Sequence, residues 1–166
     1  MYTKNWPVTS SNNKGTTMEN FIMCLEKQTR EFIQTIQTNI QTYTYREERY
    51  QNPFSISLFY SAEKIDMDPQ EFKKYIRKTD TFILLSDYIW CVVLDTISSQ
   101  HHITTTENLY EKLVNKNNHK KIYAATVHSE EFDHDYLKMI NTLFQRVEYG
   151  LKSHSDDHII TQDYIV

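Results

Sequence analysis

The stretch Phe82-Ile83-Leu84-Leu85-Ser86-Asp87-Tyr88-Ile89-Trp90-Cys91-Val92-Val93-Leu94-Asp95-Thr96-Ile97 is the least polar part of the chain, and its reading decides the fold. Apolar residues fall on nearly every face of a helix drawn through it, as expected of a central rod surrounded by others. Its 16 residues would span about 24 Å, too short to cross a bilayer unaided. Asp87 and Asp95 should then sit at its edges or be paired. The sequence predicts an all-α, single-domain bundle of five to seven helices around a central apolar helix at about 81–98.

Working outward, Phe21, Ile22, Leu25, Phe32, Ile33, Ile36 and Ile40 recur at three- and four-residue steps and predict an amphipathic helix over 17–41. Residues 42–53 break that pattern and read as a charged connector bearing tyrosines. Phe54–Tyr60 alternates apolar and polar residues; with no partner strand evident, a helix or irregular packed segment is expected. Asp68-Pro69-Gln70-Glu71 has the form of a helix start, with Asp68 as cap and Pro69 in the first turn, opening a helix that runs to Lys78. A modest helix follows over 105–114, then a short apolar piece over 122–127. Ser129 is expected to cap a long helix that Gly150 terminates.

Composition sets limits. The chain has 166 residues, 39% of them hydrophobic and 24% charged, enough to close a core within one domain. Residues 1–16 read as a flexible arm and 17–166 as a single helical domain. A net charge of −4 argues against a surface built mainly to hold phosphate backbone. Cys24 and Cys91 lie in apolar surroundings, against a disulfide-stapled module. Gly15 and Gly150 are the only glycines, which excludes the glycine-rich loops of P-loop and Rossmann nucleotide sites. Residues 1–18 hold no apolar stretch of the kind a secretory signal needs, so an intracellular setting, cytoplasmic or nuclear, is expected.

All seven histidines lie beyond residue 100. Glu131-Phe132-Asp133-His134 has the Glu-x-x-His spacing that puts two metal ligands on one helical face, and His134-Asp135 resembles the His-Asp pair of HD-type phosphohydrolases. His154 and His158, with Asp156 and Asp157, form another acid/His cluster. These residues support an alternative reading as a metal-dependent hydrolase using Glu131, His134 and Asp135. A second alternative is a nucleic-acid-binding accessory role for Lys73, Lys74, Arg77 and Lys78 with Lys120 and Lys121.

The order of elements resembles the cyclin box, a five-helix module that binds and activates protein kinases. Ile65–Ile76 resembles the start of its first helix. Val93-Leu94-Asp95-Thr96-Ile97 resembles the end of its second, with Thr96 where arginine usually stands. Leu143–Leu151 into Ser155-Asp156-Asp157 resembles the closing helix and tail. The Ala-x-Lys-aromatic stretch of the family's central helix has no counterpart between Glu107 and Ala125. A packed core, no catalytic motif and Tyr-rich connectors predict a non-catalytic regulatory or scaffolding subunit that binds another protein or a multi-subunit complex, with no cofactor and no membrane, and the resemblance implies that the partner is a kinase. Trp6, Tyr43, Tyr45, Tyr50, Lys73, Lys74 and Arg77 are the candidate contacts.

Overall fold

Ser86 divides the apolar stretch in two. Its hydroxyl oxygen accepts the backbone N–H groups of Tyr88 at 3.0 Å and Ile89 at 3.1 Å. The chain reverses there, and β2 (Thr81–Leu84) pairs antiparallel with β3 (Ile89–Leu94). The computed structural model describes residues 14–117, 121–153 and 159–162. Trp6, most of the expected arm, His119, Lys120, His154, Asp156, Asp157 and His158 lie outside the described residues.

The protein is mixed α/β, and the expected all-α bundle is overturned. Among the described residues five strands form one sheet in the order β2-β3-β1-β4-β5, where β1 is Ser55–Tyr60, β4 is Tyr123–His128 and β5 is Ile159–Ile160. The central β1 runs antiparallel to both β3 and β4, with Ser57 opposite Val92 on one side and Thr126 on the other. β5 pairs parallel with β4. The physical reason for the correction is that all six residues of β3 are buried. A strand covered on both faces is apolar at every position, so it lacks the period of two that would separate it from a buried helix.

The described residues hold five α-helices, four of which cover the sheet. α1 (Lys14–Asn39) and α5 (Tyr136–Ser153) lie over one face, while α4 (His101–Lys116) and the four-residue α3 (Pro69–Phe72) lie over the other. On the first face Ile56, Leu58, Tyr60, Cys91 and Val93 pack with Phe32, Ile36, Ile140 and Leu143. On the second, Phe59, Trp90, Val92 and Ala124 pack with Phe72, Leu109 and Leu113. Phe32 is fully buried, so truncation to alanine costs ~3–5 kcal/mol. No described helix is long and apolar enough to cross a membrane.

The expected connector at 42–53 is largely α2 (Gln41–Tyr50), closed by Gln51 in the left-handed region at φ 57°. Tyr43 and Glu47, four residues apart, are its buried side chains. The predicted helix over 68–78 shortens to α3 and one 3-10 turn over Lys73–Tyr75. Asp68 caps it by accepting the Gln70 N–H at 2.9 Å. It ends early because Asp80 captures the Arg77 N–H at 2.8 Å, an Asx-type contact that competes with helix continuation. Gly150 does not terminate α5, which continues to Ser153.

Candidate interaction surface

The segments behind the cyclin-box resemblance do not form its helices. Val93 and Leu94 end β3, Thr96 takes a left-handed φ of 41°, the first segment holds only the four-residue α3 and one 3-10 turn, and residues 143–151 alone lie in a long helix.

The Glu-x-x-His premise fails on backbone geometry. Ser129–Glu131 is a single 3-10 turn, and Asp133 and His134 then adopt φ of 46° and 66°, so residues 131–134 share no continuous helical face. Each candidate ligand has a structural task. Glu131 accepts the His128 N–H at 2.8 Å and pairs with Arg146 Nη2 at 2.7 Å. Asp135 caps α5 by accepting the Lys138 N–H at 3.1 Å. His134 Nδ1 lies 3.1 Å from the Tyr136 hydroxyl and 3.5 Å from Glu47. Among the described residues, no group of three or more His, Cys, Asp or Glu side chains is placed to hold a metal ion.

Sequence reading missed a buried polar cluster between α4, β4 and α5. Arg146 is 3% exposed and donates to the Thr126 carbonyl at 2.7 Å, an edge carbonyl of β4 beyond the two residues that pair with β5. His128 Nε2 bonds the Ile97 carbonyl at 2.7 Å while its Nδ1 accepts the Glu130 N–H at 3.3 Å, a pattern that assigns the Nε2–H tautomer. His102 Nδ1 meets the Thr126 hydroxyl at 3.2 Å, and the same hydroxyl lies 2.9 Å from that of Ser57. Burial, then the adjacent His128 ring, push the His102 pKa down to about 4; Glu131 pulls it up by less, and Arg146 adds the smallest downward push. These residues line a cavity of about 40 Å³. The sequence signal was present as buried-spaced Ser, Thr and His on β1 and β4, but it is legible only once the strands are known.

The candidate partner contacts separate by burial. Tyr43 is internal: its hydroxyl donates to the Thr79 carbonyl at 2.7 Å, its ring packs at a tilt against Phe54, and burial raises its pKa. Arg77 is tied to Asp80 through two side-chain bonds of 3.1 and 3.3 Å and reaches the Asp95 carbonyl. Asp95 in turn pairs with Arg46 at 3.3 Å. Lys73 and Lys74 are exposed, with Lys73 Nζ 5.9 Å from the Phe82 ring centre.

Tyr45 and Tyr50 stand out. They are 56% and 59% exposed, and their rings meet edge to face at 6.3 Å on the outer side of α2. Glu48 and Arg49 lie between them in sequence and line the same shallow depression. A second groove of about 260 Å³ at the C-terminal end of α2 is lined by Glu47, Pro53, Glu130, Asp133 and His134.

One antiparallel-centred sheet with a helical layer on each face defines the class, a two-layer-covered mixed α/β domain. A solved structure, a DGC protein from Thermotoga maritima, is similar to it with a TM-score of 0.51, covering 70% of this chain and 92% of that one at 14% identity. At that identity the likeness shows the fold alone. No family profile matches the chain, and no curated protein is similar to it at a significant level.

Proposed function

We propose that the protein is a non-catalytic interaction subunit, regulatory or scaffolding, that works inside the cell and binds another protein through the outer face of α2. The observation that carries this reading is the edge-to-face pair of Tyr45 and Tyr50, each more than half exposed. Tyrosine and arginine are among the residue types that anchor protein interfaces, tyrosine through a large rigid contact area with a polar tip and arginine through its planar fork of donors. Arg49 lies between the two rings in sequence, and the acidic groove of Glu130 and Asp133 adjoins the far end of the helix. The intracellular setting is supported by Cys91, a free thiol sealed within the sheet.

The test is site-specific photocrosslinking in the native cell with a benzoyl-phenylalanine at position 45 or 50, and at Lys138 on α5 as control. The expected result is one discrete adduct from positions 45 and 50 and none from 138. The isolated partner should then bind the purified protein and lose ~10-fold or more of its affinity on Tyr45→Ser/Tyr50→Ser. Absence of a discrete adduct, or binding indifferent to both tyrosines, overturns the reading.

A further inference from the structure

A separate surface lies at the opposite edge of the sheet from β5. Among the described residues β2 is an edge strand, with β3 on one side and no strand on the other. The direction of its backbone groups follows from the hairpin. The Leu85 N–H donates to the Ile89 carbonyl at 3.2 Å, so Ile83 and Thr81, two and four residues earlier, also turn their amides toward β3. The other side of β3 agrees: the Ser61 N–H donates to the Tyr88 carbonyl at 3.0 Å, leaving the even-numbered residues of β3 for β1. Phe82 and Leu84 therefore direct their N–H and C=O groups outward. No hydrogen bond among the described residues reaches them. Leu84 is 40% exposed beside this open edge, while Ile83 is buried.

A run of basic residues precedes the edge strand, which is itself bounded by Asp80, held by Arg77, and Asp87 in the turn. Lys73, Lys74 and Lys78 are all exposed, and none of the ion pairs among the described residues includes them. With Arg77 they place four cations within six residues of a chain whose net charge is −4. Lys73 reaches over the Phe82 ring itself.

We propose that β2 accepts an extended, acidic segment of a partner protein as a sixth strand. Main-chain hydrogen bonds to Phe82 and Leu84 hold it, Leu84 supplies an apolar contact, and Lys73, Lys74 and Lys78 select its charge. This surface is independent of the α2 face, and its test needs no knowledge of the partner bound there.

The probe is a fluorescein-labelled peptide Glu-Glu-Val-Thr-Val-Thr-Val-Glu-Glu, titrated with the full chain by fluorescence anisotropy. The expected result is saturable binding that weakens about fivefold or more between about 0.05 and 0.3 M salt. Binding should fall about tenfold with Leu84→Pro, which removes an outward donor without breaking the β2–β3 ladder, and by at least as much with Lys73→Glu/Lys74→Glu/Lys78→Glu. As a check that leaves the protein untouched, the same peptide N-methylated at alternate residues should lose its binding in one of its two registers of methylation. Equal binding of a version with lysine in place of glutamate, or full binding by the proline variant and by both methylated peptides, overturns the proposal. So does a concentration-dependent dimer that Leu84→Pro abolishes, which would assign the edge to a second copy.

Discussion

The hydroxyl of Tyr60 lies 2.7 Å from where a methyl group on Gly150 would stand, and it donates a hydrogen bond to the Val147 carbonyl at 3.1 Å. Glycine inside α5 lets the helix approach the centre of the sheet. Ile160 of β5 closes the same site, its Cγ1 at 3.3 Å from the added carbon. Gly150→Ala should thus destabilise the protein by ~1–2 kcal/mol, because overpacking outweighs the helix-propensity gain of ~1 kcal/mol. In a Tyr60→Phe background the same change should be close to neutral. Urea denaturation of the double-mutant cycle checks this; equal costs in both backgrounds would sink it.

His102 gives the fold an acid sensitivity of defined sign. Its pKa is about 4 in the folded protein against an ordinary value of 6.5, so the unfolded chain binds more protons between those limits. Stability should be level above pH ~6.5 and fall as the pH drops toward ~4, by at most ~3 kcal/mol from this group. Thermal melts across that range, compared with His102→Gln, should show the wild-type slope reduced in the variant.

The hairpin and the helices differ in how plainly the sequence displays them. α1 and α5 carry apolar residues at helical spacing on one side only, and both are legible. β3 and β4 are buried on both faces, which removes the alternation that marks a strand, and Ser86-Asp87 offers no glycine to announce the turn between β2 and β3. α2 was concealed for the opposite reason: only Tyr43 and Glu47 face inward, and a buried glutamate does not read as core. Of the candidate surface, Tyr45 and Tyr50 were legible as residue types, but Tyr43 and Arg77 could be told apart from them only through tertiary partners. The open edge of β2 cannot be seen before the sheet is known.

Glu131 holds the buried Arg146 guanidinium rather than an ion from solution. Glu131→Gln should destabilise the protein by ~2–4 kcal/mol by leaving a cation that is 3% exposed without its counter-charge. His134→Ala, at a side chain 51% exposed, should change stability by no more than ~0.5 kcal/mol. Melting with and without added Zn²⁺ or Mn²⁺ provides the contrast: a metal-dependent rise lost in both variants would refute this assignment.

Arg77 differs from its lysine neighbours in the same way. The Asp80 carboxylate it holds has a side chain only 2% exposed. Arg77→Ala should cost ~1–3 kcal/mol, whereas Lys73→Ala and Lys74→Ala should each stay within ~0.5 kcal/mol. Chemical denaturation of the three variants distinguishes a structural arginine from a solvated basic face.

The central position of β1 constrains how the chain acquires its shape on the ribosome. Its two neighbours arrive late and in order: β3 at residues 89–94, then β4 at 123–128. Until the second of these has emerged, a nascent chain carries Ile56, Leu58 and Tyr60 in a half-matched ribbon with one side bare. Pairings this distant along the polymer slow the search for the native arrangement, so the interval between residues 94 and 123 is when a truncated product is most exposed to aggregation.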